Sequence, residues 1–290
     1  MARLKHIRSL LFTSVMNVKS LKQLKRYDAD VYILDLEDAV REEDKDIARE
    51  KMIALLSKRS NCYTAIRLNP IETLEGIKDL EAILENNLDI NIIVPAKVRT
   101  KEEIIYLRHV LKHYKKDFKL FPLIETADAI NHIFEIAEAI PEDGALVFGS
   151  ADLSAELGCE ITWENFLTVR SEIILAASLK NLQAIDAPFF TLGSSESELL
   201  EECQRAKSLG FTGKLAVHPN QIETINDAFT LSAEEIKKYN AIINAVKDSR
   251  INIAKLSTEM IGPPFLKYAK KKLKDLKSPS KKSKKVERKK

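Results

Sequence analysis

The sequence predicts an α/β chain folded as a (β/α)8 TIM barrel with a C-terminal helical extension. Eight short apolar runs, rich in β-branched residues, alternate with segments of helical periodicity. Such alternation implies parallel β–α units, and eight of them in about 220 residues come close to the usual barrel size of about 250. The first run leads into "SVMNVK", without the G-x-G-x-x-G loop that a doubly wound sheet often carries there.

The strands are expected at 9–14, 31–36, 63–69, 90–95, 119–124, 145–150, 183–189 and 213–219. In "KDIAREKMIALLSK", Ile47, Ala48, Met52, Leu55 and Leu56 fall near helical spacing. Capping boxes open three further helices: Thr100 with Glu103, Ser195 with Glu198, and Ser232 with Glu235. The expected division is a barrel over 1–230, a helical extension over 231–266 and a basic, disordered tail over 267–290.

The overall charge of +3 conceals an asymmetry: from Lys267 onward thirteen Lys or Arg face only Asp275 and Glu287. The last part of this tail, "KSPSKKSKKVERKK", is nearly free of apolar side chains and cannot offset its ordering entropy by burial. The acidic remainder argues against a nucleic-acid partner. No run approaches the ~20 apolar residues of a membrane span, and no signal-peptide pattern is recognised at the N-terminus. Cys62, Cys159 and Cys203 are odd in number and form no C-x-x-C pair, which fits a reducing cytoplasm.

Barrel chemistry gathers where strands run into the loops that follow them. Polar residues recur at those ends: Asp35, Glu37 and Asp38; Arg67 and Asn69; Lys97; Glu125; Asp152; Asp186; and His218. A solvated loop end explains any one of them, but seven successive strand ends point to one shared mouth. Glu125 and Asp152 terminate neighbouring strands, which lie about 4.8 Å apart. Two carboxylates so placed repel unless a cation joins them or one stays protonated, and hard oxygen donors suit Mg2+. Arg67 offers a planar fork for a substrate carboxylate. Elsewhere, His109 and His113 sit on a solvated face, and Asp186 is either a ligand contact or a buried structural group. His218 is read as a strand-end group bonded to backbone, and Trp163 as a core anchor opening a helix.

The segments "RSLLF", "ADVYILDLEDAV", "DKDIARE", "IRLN", "LIETADAI", "FGSADLSAELG", "AIDAPF", "GFTGKLAVHPNQI" and "INDAF" occur in this order over residues 8–265. With them the chain resembles the citrate lyase β-subunit-like proteins of the HpcH/HpaI aldolase family, which include malyl-CoA and citramalyl-CoA lyases. The resemblance implies a homotrimeric barrel that uses Mg2+ to cleave a malyl-, citramalyl- or citryl-type thioester, on CoA or a carrier protein, into an acetyl-thioester and a 2-oxo acid. It implies Glu125 and Asp152 as metal ligands, Arg67 as the carboxylate clamp, Asp35, Glu37 and Asp38 as an acidic cluster beside the reacting oxygen, and Lys97 as a cofactor-binding residue. Two departures stand out. "MIGPPF" has Gly262 where many relatives carry an Asp acid/base, and "TSVMN" replaces the Pro-Gly that often follows the first strand. The alternatives are an aldolase acting on free hydroxy-oxo acids and a non-catalytic 2-oxo-acid or thioester binder.

Overall fold

The computed structural model describes residues 6–191, 196–248, 253–256 and 259–276. Two compact units emerge, Ile7–Phe229 and a second that begins at Thr230.

The first unit is the expected barrel. Its parallel strands are β1 (Ser9–Ser14), β2 (Val31–Asp35), β3 (Thr64–Leu68), β4 (Ile92–Pro95), β5 (Lys119–Leu120 and Leu123–Ile124), β6 (Ala145–Phe148), β7 (Gln183–Asp186) and β8 (Gly213–Ala216). Their hydrogen-bonded order is β5-β4-β3-β2-β1-β8-β7-β6-β5, so the two halves of β5 close the ring. The break in β5 has a chemical cause. Pro122 has no N–H to give to the ladder. Phe121 N–H still donates to Ile93 O at 2.9 Å on one side, and Pro122 O accepts from Val147 N–H at 3.1 Å on the other.

Most barrel strands are buried along their whole length, as a sheet covered on both faces requires. Around them pack the helices Lys45–Leu56, Leu74–Glu85, Lys101–His113, Leu167–Leu179, Glu196–Leu209 and Ile222–Phe229. The capping box at Thr100 forms, and Ser232 and Glu235 exchange side-chain-to-backbone bonds. Ser195 lies outside the described residues. The helix Lys45–Leu56 departs from its expected face. Ile47 is exposed, whereas Lys45 and Arg49 are buried with Ala48, Met52 and Leu56.

The second unit holds the helix Ala233–Asp248, an antiparallel pair β9 (Ala254–Leu256) and β10 (Glu259–Ile261), and the helix Pro263–Leu276. Tyr239, Ile242, Val246, Ile261 and Ala269 form its core. The two short strands were not anticipated, being only three residues each. Residues 267–276 are helical and not part of a tail, because Ala269 faces the core while the lysines around it face outward. Residues 277–290 lie outside the described residues. Among the described residues no helix is long and apolar enough to cross a membrane.

Asp186 proves structural. Its buried carboxylate accepts from Arg170 Nε at 2.8 Å and from Lys214 Nζ at 2.6 Å, and Lys214 also donates to Glu202 at 2.7 Å. Burial pushes this carboxyl up, but Lys214 and Arg170 outweigh it and hold it below the usual range. Trp163 is an anchor of another kind. It sits in the turn before the helix Leu167–Leu179, between the guanidinia of Arg170 (4.3 Å) and Arg205 (4.5 Å).

Removing one partner from the buried set leaves an uncompensated charge, so Lys214→Met should lower unfolding free energy by about 3–5 kcal/mol in urea titrations. Lys101→Ala, which breaks only the exposed pair with Glu135, should leave the urea midpoint unchanged.

Candidate active site

Parallel pairing of β2 with β3 sets Asp35 opposite Arg67. Arg67 Nε and Nη2 donate to the two Asp35 oxygens at 2.7 and 2.6 Å, a bidentate bond. Its Nη1 forms an ion pair with Glu37 at 2.8 Å, without hydrogen-bond alignment, and lies 3.5 Å from Asp38. The guanidinium rests 4.9 Å from the centre of the Phe12 ring. Arg67 is therefore not a bare clamp. Asp35 fixes the angle of its fork, and the acidic cluster serves first as its counter-charge.

The loop after β2 is held from beneath by Lys45, a residue that periodicity had not marked. Its buried ammonium donates to Leu36 O and Glu37 O at 2.8 Å each and to Asn69 Oδ1 at 2.7 Å. Asn69 in turn donates to Leu36 O at 3.0 Å and to Asp79 at 2.7 Å. Neither loop carbonyl pairs in the sheet ladder; Glu37 O also accepts from Val40 N–H at 3.0 Å, and the buried ammonium adds a donor to each. The clue in the sequence was a Lys-x-x-x-Arg spacing, Lys45 to Arg49, which puts both cations on one helical face.

Lys97 joins the two halves of the site. Its backbone has φ +51°, a left-handed conformation uncommon for a non-glycine residue. Its N–H donates to Glu125 Oε1 at 2.8 Å. Its ammonium donates to Glu37 at 2.6 Å and lies 3.6 Å from Asp38 and 3.4 Å from Asp152. Across the site, Gly149 leaves room for Glu125, since a Cβ there would lie 2.4 Å from Glu125 Oε2 and 2.6 Å from its Cβ.

Glu125, Asp152, Asp35, Asp38 and Arg67 line one cavity of about 400 Å3, walled by Phe12, Leu123, Phe190 and Leu215 among others. Ser150 Oγ, also on this wall, is buried without a hydrogen-bond partner. Burial, reinforced by repulsion from Asp152, pushes the Glu125 carboxyl up to about 8. Burial also raises Glu37, only partly offset by Arg67 and Lys97. Asp38 ends below its usual value because Arg67 and its neighbours outweigh burial.

Five carboxylates thus face two cations. The donor set fits a hard divalent cation: Glu125 and Asp152 share a wall, and the misfit of Glu125 is the kind a nearby positive charge relieves. Among the described residues no three His, Cys, Asp or Glu side chains form a closed metal cage. A cation held by this pair would keep most of its positions open for water and substrate. His109 and His113 belong to no such group, and His218 accepts from Asn220 N–H at 3.2 Å, capping the turn Pro219–Gln221.

Comparison with known proteins gives a consistent picture. The family model described as HpcH/HpaI aldolase/citrate lyase matches residues 8–219. Human mitochondrial citramalyl-CoA lyase is 28% identical over 284 residues, covering 90% of this chain and 83% of its own. The citrate lyase subunit beta of Haemophilus influenzae is 27% identical, covering 91% and 94%. A crystal structure of CitE from Mycobacterium tuberculosis, in complex with magnesium, acetoacetate and coenzyme A, superposes with a TM-score of 0.79 at 27% identity, covering 93% of this chain and 98% of that one.

Because Glu125 is raised in the folded state, its contribution to stability is full below the unfolded value near 4.5 and is lost as pH rises through about 8. With metal chelated, Glu125→Gln should gain about 2–4 kcal/mol on the native chain between pH 5 and 8, read by thermal unfolding at each pH. Gly149→Ala should dislodge the Glu125 side chain and cost about 1–3 kcal/mol, measured the same way.

Proposed function

The chain belongs to the HpcH/HpaI aldolase/citrate lyase family, and on that premise we propose that it is a Mg2+-dependent carbon–carbon lyase. Its substrate would be a malyl-, citramalyl- or citryl-type thioester, released as an acetyl-thioester and a 2-oxo acid. One observation carries the reading: Glu125, held near pKa 8, and Asp152 share a cavity with a rigidly presented guanidinium.

In this reading Glu125 and Asp152 hold the metal. Bound there, Mg2+ would supply positive charge that acidifies the substrate hydroxyl and favours the developing oxo acid. Arg67, set by Asp35 and Phe12, orients the carboxylate of the oxo-acid half. The Lys97 ammonium balances the acidic cluster, and its N–H keeps Glu125 aimed at the cavity. Lys45 holds the loop that carries Glu37 and Asp38. Phe12, Leu123 and Phe190 give the cavity an apolar wall beside the bond that breaks.

Cleavage leaves a thioester enolate that needs a proton. Arg67 and Lys97 are poor donors, since the carboxylates around them outweigh burial and raise both above their ordinary values. Position 262 is glycine and can donate nothing. That vacancy favours one second reading, a homologue that binds a 2-oxo acid or thioester without turning it over.

Purified protein with Mg2+ should cleave at least one of malyl-, citramalyl- and citryl-thioesters, offered on CoA and on a carrier protein. Turnover of free hydroxy-oxo acids alone would instead establish an aldolase, and oxo-acid binding without turnover the binder. Gly262→Asp should raise lyase activity; an unchanged rate would refute the vacancy. Mg2+ binding at pH 7 should expel the Glu125 proton, so affinity should rise up to about tenfold per pH unit below 8 and level off above it, measured by calorimetry.

A further inference from the structure

The helix Pro263–Leu276 carries a one-sided charge that its own packing does not require. Its inner stripe is ordinary: Ala269 is buried, and Leu266 and Leu273 pack partly against the core of the second unit. Lys267, Lys270, Lys271 and Lys274 are exposed, Lys272 is half-buried, and the sequence of the helix holds a single acid, Asp275. Among the described residues none of these lysines is paired with a carboxylate. Large apolar groups reach the surface close to them along the chain: Met260 of β10, Phe265 and Tyr268 are 74%, 46% and 52% exposed.

Ordinary structural reasons cover only part of this. A cation in the last turn complements the carbonyl end of a helix, which accounts for Lys274 alone. A solvated helix usually mixes signs, as Ala233–Asp248 does with Glu234 and Glu235 beside Lys237 and Lys238. Gathering like charges costs free energy, which an anionic partner would return. Beyond the helix the sequence adds Lys277 and seven further Lys or Arg against Glu287 alone. Nucleic acid is the less suitable partner. Of the thirteen basic residues from Lys267 onward only Arg288 has the planar fork that reads base edges and phosphates. The Tyr268 ring is no open stacking platform, since Tyr239 meets it edge-on at 5.8 Å and Lys272 Nζ stands 5.6 Å from its centre. Lysines beside exposed Phe, Met and Tyr instead match the two layers of an anionic bilayer surface, headgroup phosphates for the ammonium groups and the acyl boundary for the apolar ones.

We propose that the outer side of the helix Pro263–Leu276 is a docking surface for an anionic lipid bilayer. Its lysines supply the attraction, Phe265 and Met260 seat it at the acyl boundary, and the basic sequence after it adds charge. The helix lies on the bilayer and does not cross it, because its inner stripe stays in the core of the second unit. The proposal stands independently of the lyase reading.

Flotation of the full-length protein with phosphatidylcholine vesicles, prepared with and without phosphatidylserine, tests it. The protein should float only with the phosphatidylserine vesicles, and less as salt rises. Lys267→Glu with Lys271→Glu should weaken the partition at least about tenfold. Lys267→Gln with Lys271→Gln should weaken it less, and the thermal unfolding midpoint should stay unchanged in both, which separates lost docking from a folding defect. Phe265→Ser should weaken the partition at unchanged net charge, a loss that a purely ionic contact would not show. Equal flotation with neutral vesicles, no flotation with either, or binding that survives Lys267→Glu/Lys271→Glu and is lost only in Lys281→Glu/Lys284→Glu would overturn the proposal. Capture by a single-stranded oligonucleotide that phosphatidylserine vesicles fail to displace would overturn it in favour of nucleic acid.

Discussion

One register between two strands sets up the site. Because β2 and β3 pair with Asp35 opposite Arg67, the bidentate bond between them forms without a loop having to search for it. A slip by one residue would send alternate side chains to the other face of the sheet and carry Arg67 away from the cavity. The buried Asp35–Arg67 pair also makes a wrong register costly, since it would leave charged groups without partners. Glu37, Asp38 and Lys97 then arrange themselves around the guanidinium that this pair has fixed.

The site that results is incomplete in charge. Carboxylates exceed cations at the mouth, and one of them, Glu125, is pushed up to about 8 by burial. A protein core tolerates this imbalance only if a proton or a cation resolves it. Lys97 shows how tightly the remainder is arranged. One residue supplies a backbone donor to Glu125 and an ammonium to Glu37, in a left-handed conformation that few side chains adopt. The Asp186–Lys214–Arg170–Glu202 set offers a contrast within the same barrel. There the strand charges turn toward the helices, where Arg170 and Lys214 meet Asp186 and hold it ionised.

Much of this was legible along the chain. Eight apolar runs with helical spacers correspond to eight parallel strands, because buried parallel strands need continuous apolar sequence. Arg67, Glu125 and Asp152 could be marked because strand ends in such a barrel face one mouth. Lys45 escaped, since a charged residue in a helix reads as solvent-facing until the carbonyls it caps are known. Asp186 could not be separated from Glu125, as both are acids at strand ends and only the side to which each points distinguishes them. The C-terminal pair β9–β10 was too short for any period to register.

The sequence by itself therefore determined the barrel, the order of its strands and the set of polar groups at their ends, because those follow from local periodicity and the closure rules of parallel sheets. Tertiary structure alone decided which charges meet. It turned Arg67 onto Asp35, buried Lys45 under the neighbouring loop and turned Asp186 toward Lys214. Pairing energies depend on distance and burial, and neither is fixed by position along the chain.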